Sequence, residues 1–408
     1  MTTTLRLGSA SIDISPGSDC ALLGYDFRQQ FLPAGNAGVH DALYARALVL
    51  DDGFGPACII TLDLCIISVS HARHLRSKVA TALGWPLERV LITCSHTHSG
   101  PWLDEAGIAE DVAAVLPHVQ GDGGRAARRA YTAGLSTAVL EVAARAAGLL
   151  VPVQLSLRQV PLGLGYNRRV PQADGSVAQC WNPIEYPDLK PESQADPTLS
   201  VLTFRQPLNG RTWCLWSHGC HPVVLGKTSS LVSADWPGAA QRRLAEAGIE
   251  GHFLLGPCGD IHPWIATQDD PRGVDQVGAA AAAMVELCAL SGGACPGRLR
   301  IASRSLTLGG REVDLAAWRI GDLTLLASPT ELFAPLAADL RQRCPGPVAI
   351  ITNTNGWTGY WPHTAAFAEG GYEIDAARAM GRSPGDSEAL TDALLALAAE
   401  CRDREAES

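Results

Sequence analysis

The chain has 408 residues, 47% of them hydrophobic, and a formal net charge of −10. That supplies a large core, and an acidic balance with no long basic run excludes nucleic acid as a natural partner. The segment Met1 to Gly8 lacks the charged and apolar regions of a secretory signal, so a cytoplasmic protein is expected. No uninterrupted apolar span looks long enough to cross a bilayer; the Ala-rich piece Val277–Leu290 reads as a short buried helix. Twelve cysteines are scattered singly with no C-x-x-C pair, which argues for reduced core residues rather than disulfides or a cysteine-built zinc site. Cys94, Cys220 and Cys258 each lie close to a histidine motif and are candidates to line a site.

In chain order, Leu43–Asp51 and Ala57–Leu64 read as strands, His71–Leu83 as a helix and Val90–Ser95 as a strand. The acidic segment Pro101–Gly124 has no period and reads as a loop, and Arg125–Gly148 as a long helix. Val153–Val160, Ser200–Arg205, Thr212–Ser217 and Phe253–Leu255 look extended, while Trp236–Ala247 and Val274–Leu290 look helical. Arg298–Leu308 and Glu312–Arg319 turn at Gly309-Gly310, and Leu323–Ala327 follows as a further strand. The last elements are a helix over Pro329–Cys344, a strand over Val348–Thr352 and a helix over Ser387–Arg404. No internal repeat and no linker is visible. The alternation predicts one α/β domain over residues 1–408, a mixed β-sheet core flanked by helices.

Polar groups recur at the ends of the apolar runs. Thr93-Cys94-Ser95-His96-Thr97-His98-Ser99-Gly100-Pro101 follows Val90–Ile92, and strand alternation would turn both imidazoles to one face. His218 and His221 end another run, with Asp235 fourteen residues beyond His221 as a carboxylate or a helix N-cap. Asp260 and His262 stand two apart in a glycine-bearing turn, and Glu331 follows a strand at a predicted helix head. Asn353 to Tyr360 forms an aromatic, glycine-rich loop, and Asn167-Arg168-Arg169 could hold a carbonyl or anionic oxygen. Histidines with one carboxylate at an open site suit catalytic zinc. A nucleophile elbow, a phosphate-binding loop and an H-E-x-x-H helix are all missing.

Taken in order, these pieces resemble the neutral/alkaline (non-lysosomal) ceramidase family. Asp13-Ile14-Ser15-Pro16 is similar to its D-I-T-P, and Gly38-Val39-His40 through Ala45-Arg46-Ala47 to G-I-H-x-x-x-x-A-R-A. His96 to Pro101 matches H-T-H-S-G-P, Asn167-Arg168 matches N-R, and His221-Pro222 with Ser233-Ala234-Asp235 resembles H-P … S-x-D. Gly259 to Pro263 resembles G-D-V-S-P, Pro329-Thr330-Glu331 resembles P-G-E, and Asn355 to Tyr360 with Tyr372-Glu373 resembles N-x-Y-x-x-Y … Y-E. The resemblance implies zinc held by His96, His221, Glu331 and Tyr360, with His98, Arg168 and Tyr372 around the scissile carbonyl. It also implies cleavage of a linear N-acyl amide, small or lipid-like, by zinc-activated water. An ester or lactone hydrolase, or a binding protein whose catalysis has lapsed, would carry the same residues.

Three departures stand out. His262 replaces the family serine, which removes a serine nucleophile there and makes the histidine a candidate acid/base or pocket-shaping residue. Trp357 replaces the first tyrosine of N-x-Y-x-x-Y. No C-terminal immunoglobulin-like domain is expected after the catalytic motifs, so a smaller or more soluble N-acyl substrate than ceramide is an equal expectation.

Overall fold

The computed structural model describes residues 4–25, 28, 35–104 and 125–406. The expected mixed α/β architecture is present, and its larger strands form three sheets among the described residues. In the first, β1 (Arg6–Asp13), β2 (Tyr44–Asp51) and β3 (Ala57–Leu62) are antiparallel neighbours. Helix α1 (Val69–Leu83) then crosses over, β4 (Val90–Cys94) lies parallel to β3, and α2 (Arg125–Ala147) follows. The second sheet repeats this with β5 (Gln154–Pro161), β6 (Thr198–Arg205), β7 (Thr212–His218), α3 (Asp235–Glu246), β8 (Ile249–Leu255) and α4 (Arg272–Ser291). The third contains β9 (Leu299–Leu308), β10 (Arg311–Ile320), β11 (Leu323–Ala327), α5 (Ala334–Arg343) and β12 (Val348–Ile351). Helices α6 (Tyr372–Ala379) and α7 (Asp386–Ala406) complete it.

An order of three antiparallel strands, a helix, a parallel strand and a closing helix therefore occurs three times. The sequence shows no repeat because topology and apolar alternation are repeated, not residue identities. In each sheet the order runs fourth, third, second, first strand.

Period-two alternation gives every sheet two buried faces. One face of each meets a shared central core: Leu48 and Leu50 of β2, Leu202 and Phe204 of β6, Trp318 and Ile320 of β10. The other faces go to the helices, with Ala47 and Val49 against α1 and α2, Val201 against α3 and α4, and Val313 and Leu315 against α5 and α7. Local signals set the helix ends. Ser68 caps α1 by accepting from the His71 amide, and Gly84 closes it at φ 71°.

Several expectations are corrected. Helix α4 is 20 residues long and, by length and composition, could span a membrane, which revises the shorter span read from the sequence. Its Val274, Ala281 and Val285 instead pack into the core of the second sheet, and Gly278 sits so near Ala239 that a Cβ would come within 2.4 Å. The helix expected from Pro329 starts only at Ala334; Glu331 and Leu332 pair in parallel with Tyr360 and Trp361. Of the expected loop over Pro101–Gly124, residues 105–124 lie outside the described residues.

The fourth strands meet at their C-terminal ends. The Thr352 amide donates to the Leu255 carbonyl at 2.8 Å, and the Cys94 amide to the Asn353 carbonyl at 3.1 Å. The loops leaving β4, β8 and β12 are thereby stitched together, in the position where sheet proteins carry their chemistry.

Removing a side chain from the shared core should unsettle all three sheets. Phe204→Ala should cost about 3–5 kcal/mol in urea unfolding. Leu208→Ala, at a residue 88% exposed, should stay within about 0.5 kcal/mol. Equal effects would contradict the assignment of Phe204 to that core.

Candidate active site

The site grows from corresponding positions in the three repeats. Cys65, His221 and Glu331 lie three, three and four residues beyond the ends of β3, β7 and β11. His96, Asp260 and Asn353 lie just beyond the fourth strands β4, β8 and β12. His96 and His98 do not reach the site by strand alternation, because β4 ends at Cys94. His96 has a left-handed backbone with φ 67°, a costly conformation outside glycine, and this turn aims its ring inward. Asn353 and Asn355 also have positive φ. They clasp β4: the Asn355 amide donates to the Ile92 carbonyl at 2.6 Å.

Three side-chain donor atoms converge. His96 Nε2 lies 3.2 Å from His221 Nε2 and 3.5 Å from Glu331 Oε2, and His221 Nε2 lies 3.4 Å from Glu331 Oε2. Ligands about 2.0–2.1 Å from a tetrahedral zinc ion stand roughly 3.3–3.4 Å apart, so the triangle has the size zinc requires. All three residues are at most 3% exposed, and Glu331 Oε2 is buried with no hydrogen-bond partner.

The atoms that do not converge are engaged in ways that orient those that do. His96 Nδ1–H donates to the Cys65 carbonyl at 2.9 Å. His221 Nδ1–H donates to the carbonyls of Cys258 and Ile261 at 2.5 and 3.1 Å. Each Nε2 is thereby the ring nitrogen left to face the common point. The Trp357 indole donates to Glu331 Oε1 at 2.7 Å, leaving Oε2 for the common point. An indole N–H can only donate, so it favours the ionised carboxylate. The donor set and its orphaned oxygen fit a zinc ion.

Ser233-Ala234-Asp235 fastens the two histidine loops together. Thr97 Oγ1 donates to the Ser233 carbonyl at 2.6 Å, and the Ser233 amide to the Ser99 carbonyl at 3.0 Å. Asp235 is not the N-cap of α3, a place held by Ala234. Its carboxylate instead accepts the amides of Val224, Leu225 and Trp236 at 2.8–3.2 Å, which holds the loop after His221. Burial pushes that carboxyl up to about 7. Asp41 anchors the segment by accepting from Ser233 Oγ and the Ala234 amide. His218, by contrast, stays buried at the end of β7 beside Trp236 and does not join the cluster.

Arg168 sits behind Tyr360. Its Nε donates to Glu373 at 2.6 Å, Nη1 to His262 Nε2 at 2.7 Å, and Nη2 to the Gly259 carbonyl and Tyr360 hydroxyl at 2.8 and 3.2 Å. Four of the five guanidinium hydrogens are thus in use. His262 is equally committed, since its Nδ1–H donates to the Trp181 carbonyl at 3.0 Å. Burial, with Arg168 and His221 beside it, holds His262 well below the ordinary imidazole range. Asp260 braces this assembly by accepting from Asn167 Nδ2 and the Ala334 amide.

A narrow cleft opens onto the triangle, lined by Leu23, Ile66, His98, Trp357, Tyr360 and Tyr372, among others. Among the described residues it leaves about 30 Å³, room for one or two waters. His98 and Tyr372 face it, whereas Arg168 and His262 are not among its lining. His98 Nε2 lies 3.4 Å from His96 Nε2, and His98 Nδ1 is buried without a partner. Burial, with His96 and His221, holds His98 well below its usual range, so its ring is neutral.

Residues 5–254 match the family described as neutral/alkaline non-lysosomal ceramidase, N-terminal. The chain belongs to that family. The fold is similar to that of neutral ceramidase from Pseudomonas aeruginosa, with a TM-score of 0.79 at 16% identity, covering 98% of this chain and 75% of that one. A structure described as ceramidase complexed with C2 matches at a TM-score of 0.78 and 16% identity, covering 98% and 76%. No curated protein matches in sequence.

Within this ceramidase-family chain, sequence reasoning missed the partners that orient the ligands. Glu373 follows Tyr372 directly, and Trp357 stood out only as a departure; both act across more than twenty residues of chain. Cys65 went unremarked, while Cys94 packs into the helix-side core of the first sheet and Cys258 contributes only its carbonyl. Trp357→Phe should weaken metal affinity by about 10- to 100-fold, measured against a chromophoric chelator. Unchanged affinity would show that the indole is not needed to orient Glu331.

Proposed function

We propose that the protein is a zinc-dependent hydrolase of a linear N-acyl amide bond. The observation that carries this reading is the buried triangle of His96 Nε2, His221 Nε2 and Glu331 Oε2, with edges of 3.2–3.5 Å. His96, His221 and Glu331 would hold the ion, with Tyr360 as a fourth group beside Glu331 in the parallel pairing of these segments. Zinc in such a site supplies Lewis acidity and an acidified water. Family membership supports the amide bond.

The chain's own groups divide the remaining work. His98 faces the cleft as a neutral imidazole with an unengaged Nδ1, suited to take a proton from the attacking water and return it to the leaving amine. Tyr372 lines the same cleft, and its ring centroid lies 5.7 Å from that of Tyr360. Its hydroxyl can donate to the carbonyl oxygen as negative charge develops. Arg168 acts through Tyr360, whose hydroxyl it orients, and His262 acts through Arg168. With both ring nitrogens engaged, His262 is a positioning residue rather than an acid or base.

Purified protein should contain about one zinc per chain, lost in His221→Ala and Glu331→Ala. His98→Ala should keep the zinc and lose about 10²- to 10⁴-fold in kcat on N-acyl amides. Wild-type protein without a transition metal at full occupancy would refute the zinc reading. Loss of zinc in His98→Ala would make that residue a ligand instead.

A further inference from the structure

A half-buried indole stands behind Tyr372. Trp181 is not among the residues lining the cleft, yet it touches three groups that serve it. Its carbonyl accepts from His262 Nδ1–H at 3.0 Å. The Arg168 guanidinium lies over its ring at 5.1 Å, with the guanidinium edges spent on Glu373, His262, Gly259 and Tyr360. The same ring packs against Tyr372, with centroids 5.2 Å apart and planes inclined at 77°. Such an edge-to-face arrangement is one that aromatic pairs prefer.

The local backbone puts the indole there. The short strands Arg169–Pro171 and Val177–Gln179 pair as an antiparallel hairpin, Arg169 opposite Gln179 and Pro171 opposite Val177. The Cys180 amide then donates to the Arg168 carbonyl at 2.8 Å, and Trp181 follows directly over Arg168. Tyr166 pins the same bend, its hydroxyl donating to the Cys180 carbonyl at 3.0 Å. The hairpin also meets the turn that delivers Tyr372. Gly371 has φ 94°, and a Cβ there would come within 2.7 Å of Val177. One hairpin thus fixes the backbone before Tyr372 and, through Trp181, the ring itself.

The direction of that ring matters, because Tyr372 lines the cleft and its hydroxyl is the proposed donor to the carbonyl oxygen. The hydroxyl sits at the far end of a ring that turns about two bonds, so loosening the ring displaces it most. A displacement of about 1 Å can cost about 10²-fold in rate.

We propose that Trp181 is a positioning residue that acts through Tyr372, holding the phenol at the angle from which its hydroxyl meets the developing oxyanion. This rests on the amide-hydrolase reading of the site and deepens it. Substituting the side chain leaves the carbonyl contact to His262 in place, so the indole can be tested alone.

The test is a double-mutant cycle on zinc-loaded protein, with the fastest substrate among short- and long-chain N-acylglycines and N-acylethanolamines. Trp181→Leu should lower kcat about 10- to 100-fold, leave KM within a few-fold and keep the zinc. Trp181→Phe, which restores an aromatic contact, should recover most of the loss. In the Tyr372→Phe background, Trp181→Leu should cost almost nothing more. An equal loss in both backgrounds would overturn the proposal, as would loss of zinc in Trp181→Leu, which would move the role of the indole to the metal ligands. If zinc-loaded wild type cleaves no amide, the hydrolase reading fails, and the fluorine spectrum of 3-fluorotyrosine-labelled protein decides the positioning separately. The Tyr372 resonance, assigned by its absence in Tyr372→Phe, should move or split in Trp181→Leu; an unchanged resonance would overturn the proposal.

Discussion

The site depends on two imidazole N–H groups fixed on backbone carbonyls. His96 binds the carbonyl of Cys65, beyond the third strand of the first sheet, and His221 binds those of Cys258 and Ile261, beyond the fourth strand of the second. These bonds choose the tautomer, set the ring planes and turn both Nε2 atoms toward Glu331 of the third sheet. A carboxylate oxygen is thereby buried with no hydrogen-bond donor of its own, and such a group calls for a cation. The left-handed backbone of His96 is a local cost that this arrangement sustains.

The fold explains how side chains from such distant parts of the chain meet. Three similar units share one core, and their parallel fourth strands are hydrogen-bonded together at the C-terminal ends. Every loop leaving that end is delivered to one place, and each unit contributes a different chemical group from a corresponding position. His262, where the family pattern has serine, shows the same economy. It accepts from Arg168 and donates to Trp181, so the histidine is tied into the hydrogen-bonded support behind Tyr360. Trp357, where the pattern has tyrosine, supplies the donor that steers Glu331.

Much of this was legible in the sequence because it is local. Apolar alternation marked β2, β3, β6, β7 and β9 to β11, and Ser68 and Gly84 bracket α1 by ordinary capping chemistry. His96, His221, Glu331 and Tyr360 were nameable from their motifs, and the structure brings the first three within 3.5 Å of one another. Long-range geometry was not legible. Glu331 looked like a helix-head acid because its pairing with Tyr360 spans the whole of α5 and β12. Asp235 looked like a cap because its amide partners at Val224 and Leu225 lie in another loop. The threefold repeat was hidden because alternation constrains which positions are apolar, not which residues fill them.

The central claim is that His96, His221 and Glu331 hold one zinc ion through nitrogen and oxygen atoms alone. X-ray absorption at the zinc edge of the purified protein tests it most directly. The account predicts nitrogen and oxygen ligands at about 2.0–2.1 Å, two imidazoles in the outer-shell scattering and no sulfur. A zinc–sulfur distance of about 2.3 Å would place Cys65, whose Sγ lies 3.7 Å from His96 Nδ1, in the coordination sphere and contradict it.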